Sequence, residues 1–204
     1  MPTCLPETDD ELLERLQAGD EAAFLALYRR RQGSLYRFAL HLTGSPTVAE
    51  DITQDVFLTL IRNACRYDPG RGTLSGYLFG IARKLILRHL DRTRLDVALE
   101  GAGDEGCGAR LAAHDDPAAE LADRERIEGL RRAVRHLPRR YREVVVLCDL
   151  EEVDYADAAG ILGCPIGTVR SRLHRARALL LEKLSQERAT RNQINDLDPA
   201  RCWI

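Results

Sequence analysis

Apolar residues recur along this chain with the period of a helix rather than that of a strand. Leu35, Phe38, Ala39 and Leu42 fall at i, i+3, i+4 and i+7, which places them on one helical face. Gly44-Ser45-Pro46 interrupts that pattern. Ser45 or Thr47 can cap the following helix, with Glu50 three residues beyond Thr47 as a capping box needs. That helix is expected to run to about Ala64 and to turn Ile52, Val56 and Leu60 inward. A turn-rich loop, Tyr67-Asp68-Pro69-Gly70-Arg71-Gly72, separates it from a helix over about Ser75 to Arg92, with Leu78, Ile81 and Leu85 inside. No run alternates in the way a half-buried strand does. Val144-Val145-Val146 is β-branched but lies within a helical pattern.

Three glycines, Gly101, Gly103 and Gly106, with Ala and Asp around them, mark residues 95–117 as a joint. A helix is expected from near Asp116 to His136, and Leu137-Pro138 ends it and starts the next. Residues 189–204 are polar and read as a loose tail. The expected fold class is all-α: two small helical domains joined by an acidic flexible linker, the C-terminal one a helix-turn-helix.

That last element is the strongest local signal. Tyr155, Ala158, Ala159 and Leu162 form one stripe, Gly163 follows where a tight turn needs positive φ, and Pro165 suits a helix start. In the next helix Val169, Leu173, Ala176 and Leu180 share a face, while Arg170, His174 and Arg177 point away with Ser171 and Arg175 beside them. A short helix, a glycine turn and a basic second helix make the pattern of a major-groove reader. By itself the pattern also fits an ordinary helical hairpin with a solvated basic face, or the DNA-binding part of a dimeric activator or repressor.

Charge changes the picture. The net charge of −2 argues against a polyanionic partner until its distribution is considered. Between Asp96 and Glu125 nine acids face two bases, Arg110 and Arg124; that stretch carries −7 and the remainder +5. Such asymmetry suits nucleic-acid surfaces joined by an acidic segment. No apolar run nears the ~20 residues of a membrane span, and Met1 to Asp10 lacks a signal-peptide pattern, so direct membrane insertion is not expected and the cytoplasm is. The six cysteines have irregular spacing and no C-x-x-C pair, which favours plain thiols over zinc or disulfides. A glycine-rich phosphate loop, H-E-x-x-H and G-x-S-x-G are all missing, and the five histidines are scattered. Neither an enzyme nor a cofactor is expected.

Two separate blocks then resemble one family. Leu137-Pro138-Arg139-Arg140-Tyr141-Arg142-Glu143-Val144, followed by Gly167-Thr168-Val169-Arg170-Ser171-Arg172-Leu173-His174-Arg175-Ala176-Arg177, is similar to region 4 of extracytoplasmic-function (ECF) sigma factors. Gly19-Asp20-Glu21-Ala22-Ala23-Phe24, Ala49 to Phe57 and Tyr77 to Lys84 resemble region 2. The resemblance spans roughly residues 8–185, in the family's order. It implies region 2 over 8–94, an acidic linker over 95–117, region 4 over 118–185 and a tail over 186–204.

The resemblance also implies partners and sites. Core RNA polymerase would be bound through its β′ clamp helices and β flap. The clamp helices would meet Asp51, Gln54, Asp55 and Leu58, which with Arg62 share a face turned from the core stripe. Promoter DNA at the −10 element would meet Arg66, Asp68, Arg71, Tyr77, Lys84 and Arg88. At the −35 element Arg170, Ser171 and Arg175 would reach base edges, with Thr168, Arg172 and His174 on or near phosphates. The linker would thread the polymerase, and an anti-sigma factor would hold the protein inactive. Two positions depart from the family pattern: Tyr77 stands where Trp is usual, and Lys84 where Asn is frequent. Lysine lacks an amide's paired donor and acceptor, so −10 base preference would differ there. A helix-turn-helix regulator that replaces no polymerase subunit is the alternative.

Overall fold

Eight α-helices are present among the residues that the computed structural model describes, 7–100 and 127–196. The acidic joint beyond Glu100, and the chain end with Cys202 and Trp203, lie outside them. The first unit contains α1 (Asp9–Gln17), α2 (Glu21–Thr43), α3 (Pro46–Asn63) and α4 (Leu74–Glu100). The second contains α5 (127–135), α6 (Arg139–Val145), α7 (Tyr155–Leu162) and α8 (Ile166–Asp196). There is no strand among the described residues.

Local chemistry sets the helix starts. Thr8 and Glu11 form a reciprocal capping box at α1, with Thr8 N–H donating to Glu11 Oε2 at 2.7 Å. Asp20 accepts from the N–H groups of Ala22 and Ala23 and so starts α2. Ser45, rather than Thr47, caps α3: its Oγ accepts from Val48 N–H at 3.4 Å, and Pro46 takes the first helical position, where a missing N–H costs nothing. Thr47 is thus already inside the helix, and the capping box with Glu50 does not form. Gly44 ends α2 at φ 74°, a left-handed conformation that glycine adopts without Cβ strain.

Two helices outrun their sequence limits. α4 continues to Glu100 instead of ending near Arg92, because Leu95 to Glu100 contains no glycine or proline to stop it. α8 continues to Asp196, through part of the stretch read as loose; Glu187, Arg188, Ala189 and Gln193 are good helix formers, and Pro199 comes only later. Val144 and Val145 are helical as expected, and the chain then loosens into a π turn over Val146–Leu150. Glu152 follows at φ 55°.

Phe38 and Phe79 meet edge to face at 5.2 Å in the centre of the first unit, both buried. Phe57, Tyr28 and Phe24 form a second aromatic group beside them. In the second unit the expected stripe of Val169, Leu173, Ala176 and Leu180 is buried against Val144, Leu147 and Ala158. The two units do not stand apart. α4 packs on α7 and α2 on α6, and one hydrophobic cluster runs through both.

Candidate nucleic-acid interface

Between α3 and α4 the chain makes two short 3-10 turns, Ala64–Arg66 and Pro69–Arg71. Asp68 shapes the second by accepting from Gly70 N–H at 3.0 Å, so this carboxylate is engaged by its own loop. The Tyr67 hydroxyl donates to Asp10 Oδ1 at 2.8 Å and ties the loop to α1, while its ring lies 5.6 Å from that of Tyr77. Burial pushes the Tyr67 phenol above its usual pKa, so it stays a donor. Tyr77 is half-buried. Arg66, Arg71, Lys84 and Arg88 are exposed, and no ion pair holds them among the described residues. Their charges are available to a polyanion.

On α3, Asp51, Gln54, Asp55 and Arg62 are all exposed, and Leu58 is 47% exposed. Ile61, at 50%, lies one turn along from Leu58. An apolar residue three positions past an outward-facing leucine is a signal legible in the sequence, and Ile61 extends the expected face by one turn. A mixed acidic and apolar helix face of this kind suits a protein partner.

The helix-turn-helix forms as its residues indicate. Asp154 caps α7 by accepting from Ala156 and Asp157 N–H, Gly163 turns at φ 64°, and Pro165 accepts the first backbone bonds of α8. Arg170, Ser171, His174 and Arg175 are exposed on the outer face of α8. Thr168 and Arg172 are half-buried; Arg172 Nη1 lies 3.9 Å from Cys164 Sγ and leans on the turn. Arg170 stands over the Tyr155 ring at 6.0 Å. The Arg175 guanidinium near the Tyr141 hydroxyl holds that phenol below its usual pKa. Arg140 lies over the same ring at 4.7 Å and is exposed, which makes it a further cation of this face. It sits in the Leu137–Val144 motif, so its region was legible and its role was not. Arg177 is bound through two nitrogens to Asp149 and is not free for DNA in this arrangement.

Two ion pairs and one hydrogen bond to a carboxylate cross between the units. Arg37 Nε and Nη2 reach Glu151 at 2.9 and 2.8 Å. Arg83 donates to Glu143 at 3.1 Å and to the Ile161 carbonyl at 3.2 Å, while Arg139 binds the other oxygen of the buried Glu143 at 2.8 Å. Thr73 donates through its hydroxyl to Asp157. Beside the first ion pair, burial and the nearby Arg131, Arg135, Arg37 and Arg142 bring His41 down to about 4, so it is neutral near pH 7. Cys65, Cys148 and Cys164 carry no disulfide.

An exposed basic helix in the second unit, and a charged loop with an exposed polar helix face in the first, are features expected of a DNA-binding protein. The family models agree. The one described as Sigma-70 region 2 matches residues 27–95, and the one described as Sigma-70, region 4 matches 127–180. Among curated relatives, the ECF sigma factor SigE of Mycolicibacterium smegmatis is 34% identical over 175 residues, covering 82% of this chain and 65% of that relative. The ECF sigma factor SigC of Mycobacterium tuberculosis is 31% identical, with 85% and 92% covered. SigW of Bacillus subtilis is 28% identical, with 84% and 94% covered. Among solved structures, the sigma factor RpoE in complex with the anti-sigma factor NepR from Bartonella quintana superposes with TM-score 0.68 at 26% identity, covering 79% of this chain and 96% of that one. CnrH in complex with the cytosolic domain of CnrY gives 0.64 at 25%, covering 88% and 99%. The chain belongs to the ECF sigma factors. No helix among the described residues is long and apolar enough to cross a membrane.

Proposed function

We propose that this sigma factor brings core RNA polymerase to promoters by three separate surfaces. The exposed α3 face, Asp51, Gln54, Asp55 and Leu58 with Ile61 added, docks on the β′ clamp helices. The loop over 66–73 with Tyr77, Lys84 and Arg88 of α4 takes the −10 element, where an unpaired base can stack and phosphates meet arginine and lysine. The outer face of α8 enters the major groove of the −35 element, and the second unit rests on the β flap. The acidic joint follows the basic interior of the polymerase between the two elements. An anti-sigma factor, as in the complex of RpoE with NepR, is the expected regulator. The protein acts by binding, without catalysis of its own.

The observation that carries this reading is the outer face of α8: Arg170, Ser171, His174 and Arg175 are exposed together, with Tyr155 and Tyr141 beside Arg170 and Arg175. Held arginines lose less freedom on binding a guanine edge than loose ones do. The test mixes the purified chain with bacterial core polymerase and a library of promoter fragments, and sequences the transcripts. Start sites preceded by paired −35 and −10 elements are expected. With those elements known, Arg175→Ala should relax discrimination at one −35 position by roughly 5- to 150-fold, the equivalent of about 1–3 kcal/mol for a bidentate contact. A loss spread evenly over all promoters would move Arg175 to the phosphates. Silent core, with specific duplex binding by the chain alone, would favour the stand-alone regulator instead.

A further inference from the structure

Helix α1 is fastened to the body of the first unit. Leu12 and Leu13 are buried, and the Asp9 carboxylate accepts from two arginines of α2, Arg30 Nη1 at 2.8 Å and Arg31 Nε at 2.6 Å. The reciprocal cap of Thr8 and Glu11 fixes where the helix starts.

Two exposed side chains of this fixed helix reach the chain between α3 and α4. Gln17 Nε2 donates to the Ala64 carbonyl at 3.0 Å, where the first 3-10 turn begins. Asp10 Oδ1 accepts from the Tyr67 hydroxyl at 2.8 Å. Asp10 and Gln17 stand two turns apart on one face of α1, so they hold two successive points of the loop. Among the described residues these are the only side-chain hydrogen bonds between another helix and residues 64–71. The Tyr67 hydroxyl also lies 3.2 Å from the Gly72 carbonyl, at the far end of the loop. One hydroxyl therefore draws the loop together and ties it to α1. Between the tied points Arg66, Asp68 and Arg71 stay exposed.

We propose that α1 is a splint for the −10 loop, with Asp10 and Gln17 as positioning residues that hold Arg66, Asp68 and Arg71 ready for the promoter strand. The splint rests on the −10 reading of that loop. Neither positioning residue needs to touch DNA. Both are exposed, so their bonds add little to global stability. Untied, a loop with Pro69, Gly70 and Gly72 samples other shapes, and the strand must order it during capture. The sign of the effect separates this role from plain electrostatics. A carboxylate near a phosphate-binding loop repels DNA, so charge alone would make Asp10→Ala open promoters better. The splint makes it open them worse.

The experiment uses holoenzyme assembled from core polymerase and the full chain, on a promoter found by the transcription experiment. Permanganate reactivity of unpaired thymines at the −10 element is followed in time. Asp10→Ala, Gln17→Ala and Tyr67→Phe are each expected to slow opening by roughly two- to tenfold, the worth of one net hydrogen bond. Asp10→Ala placed on Tyr67→Phe should slow it no further, because both remove the same bond. Asp10→Asn keeps an accepting oxygen and should open within about twofold of the parent. Melting temperature, affinity for core and binding of −35 duplex should match the parent in every variant.

Opening that is unchanged or faster with Asp10→Ala would overturn the splint. So would an Asp10→Asn variant as slow as Asp10→Ala, since charge rather than the bond would then matter. A slowing that comes with a lower melting temperature or weaker core binding would reduce α1 to a general structural part and overturn it too. A holoenzyme with Arg66→Ala and Arg71→Ala guards the premise. Undiminished opening there refutes the −10 reading and the splint with it; impaired opening, with Asp10→Ala and Tyr67→Phe as fast as the parent, refutes the splint alone.

Discussion

Replacing Arg37 by alanine should loosen the two units without unfolding either. Arg37 stands on α2 and its partner Glu151 on the loop after α6, 114 residues away. The Glu151 side chain is 2% exposed and the Arg37 side chain 52% exposed. Two charge-assisted hydrogen bonds contribute roughly 1.5–3 kcal/mol each when buried, and removing one partner of a buried pair costs about 3–5 kcal/mol. Arg37 is half in water, and screening reduces both figures. A docking loss of about 1–3 kcal/mol follows, a weakening of roughly 5- to 150-fold. Most of it comes from leaving a carboxylate dry and unpaired. Burial already pushes the Glu151 pKa above its usual range, against the pull of Arg37. Arg37→Ala combined with Glu151→Gln should therefore regain part of the loss, since an amide is cheaper to bury alone than a carboxylate. Energy transfer between fluorophores on the two units would read the separation, and circular dichroism the integrity of the helices. A single variant as closed as the parent, or a double variant no better than the single, would refute the argument.

Phe38→Ala removes a fully buried ring and its edge contact with Phe79; urea unfolding should show a loss of about 3–5 kcal/mol. Acidification should weaken the fold around His41. Its pKa lies near 4 against an ordinary 6.5, so its contribution is complete above about pH 6.5 and is lost as pH falls toward 4. Thermal melts of the parent should drop across that window, and His41→Gln should flatten the drop. Charge reversal at Asp51 and Asp55 should lower core-polymerase binding by roughly tenfold or more at low salt, with an unchanged melting temperature because both residues are exposed. Unchanged binding to immobilised core would remove α3 from the docking surface.

The sequence by itself determined the helical elements and the outward faces. Those depend on short-range physics: a period of 3.6, a cap within three residues, a glycine at positive φ. Hence Val169, Leu173, Ala176 and Leu180 were legible as buried, Arg170 and Arg175 as outward, and Gly163 as the turn. Finer local choices between near-equal candidates were less legible. Ser45 and Thr47 are both good caps, and Pro46 at the first helical position decided for Ser45. Arg88 and Arg177 look alike in sequence, yet one is exposed and unpaired among the described residues while the other is locked to Asp149. Only the tertiary structure decided how the two units meet. No period or motif relates Thr73 to Asp157, Arg37 to Glu151, or Arg83 to Glu143. Each pair joins faces whose relative placement depends on which surfaces bury the most apolar area and leave no charge unpaired, a condition on the whole chain that no local window contains.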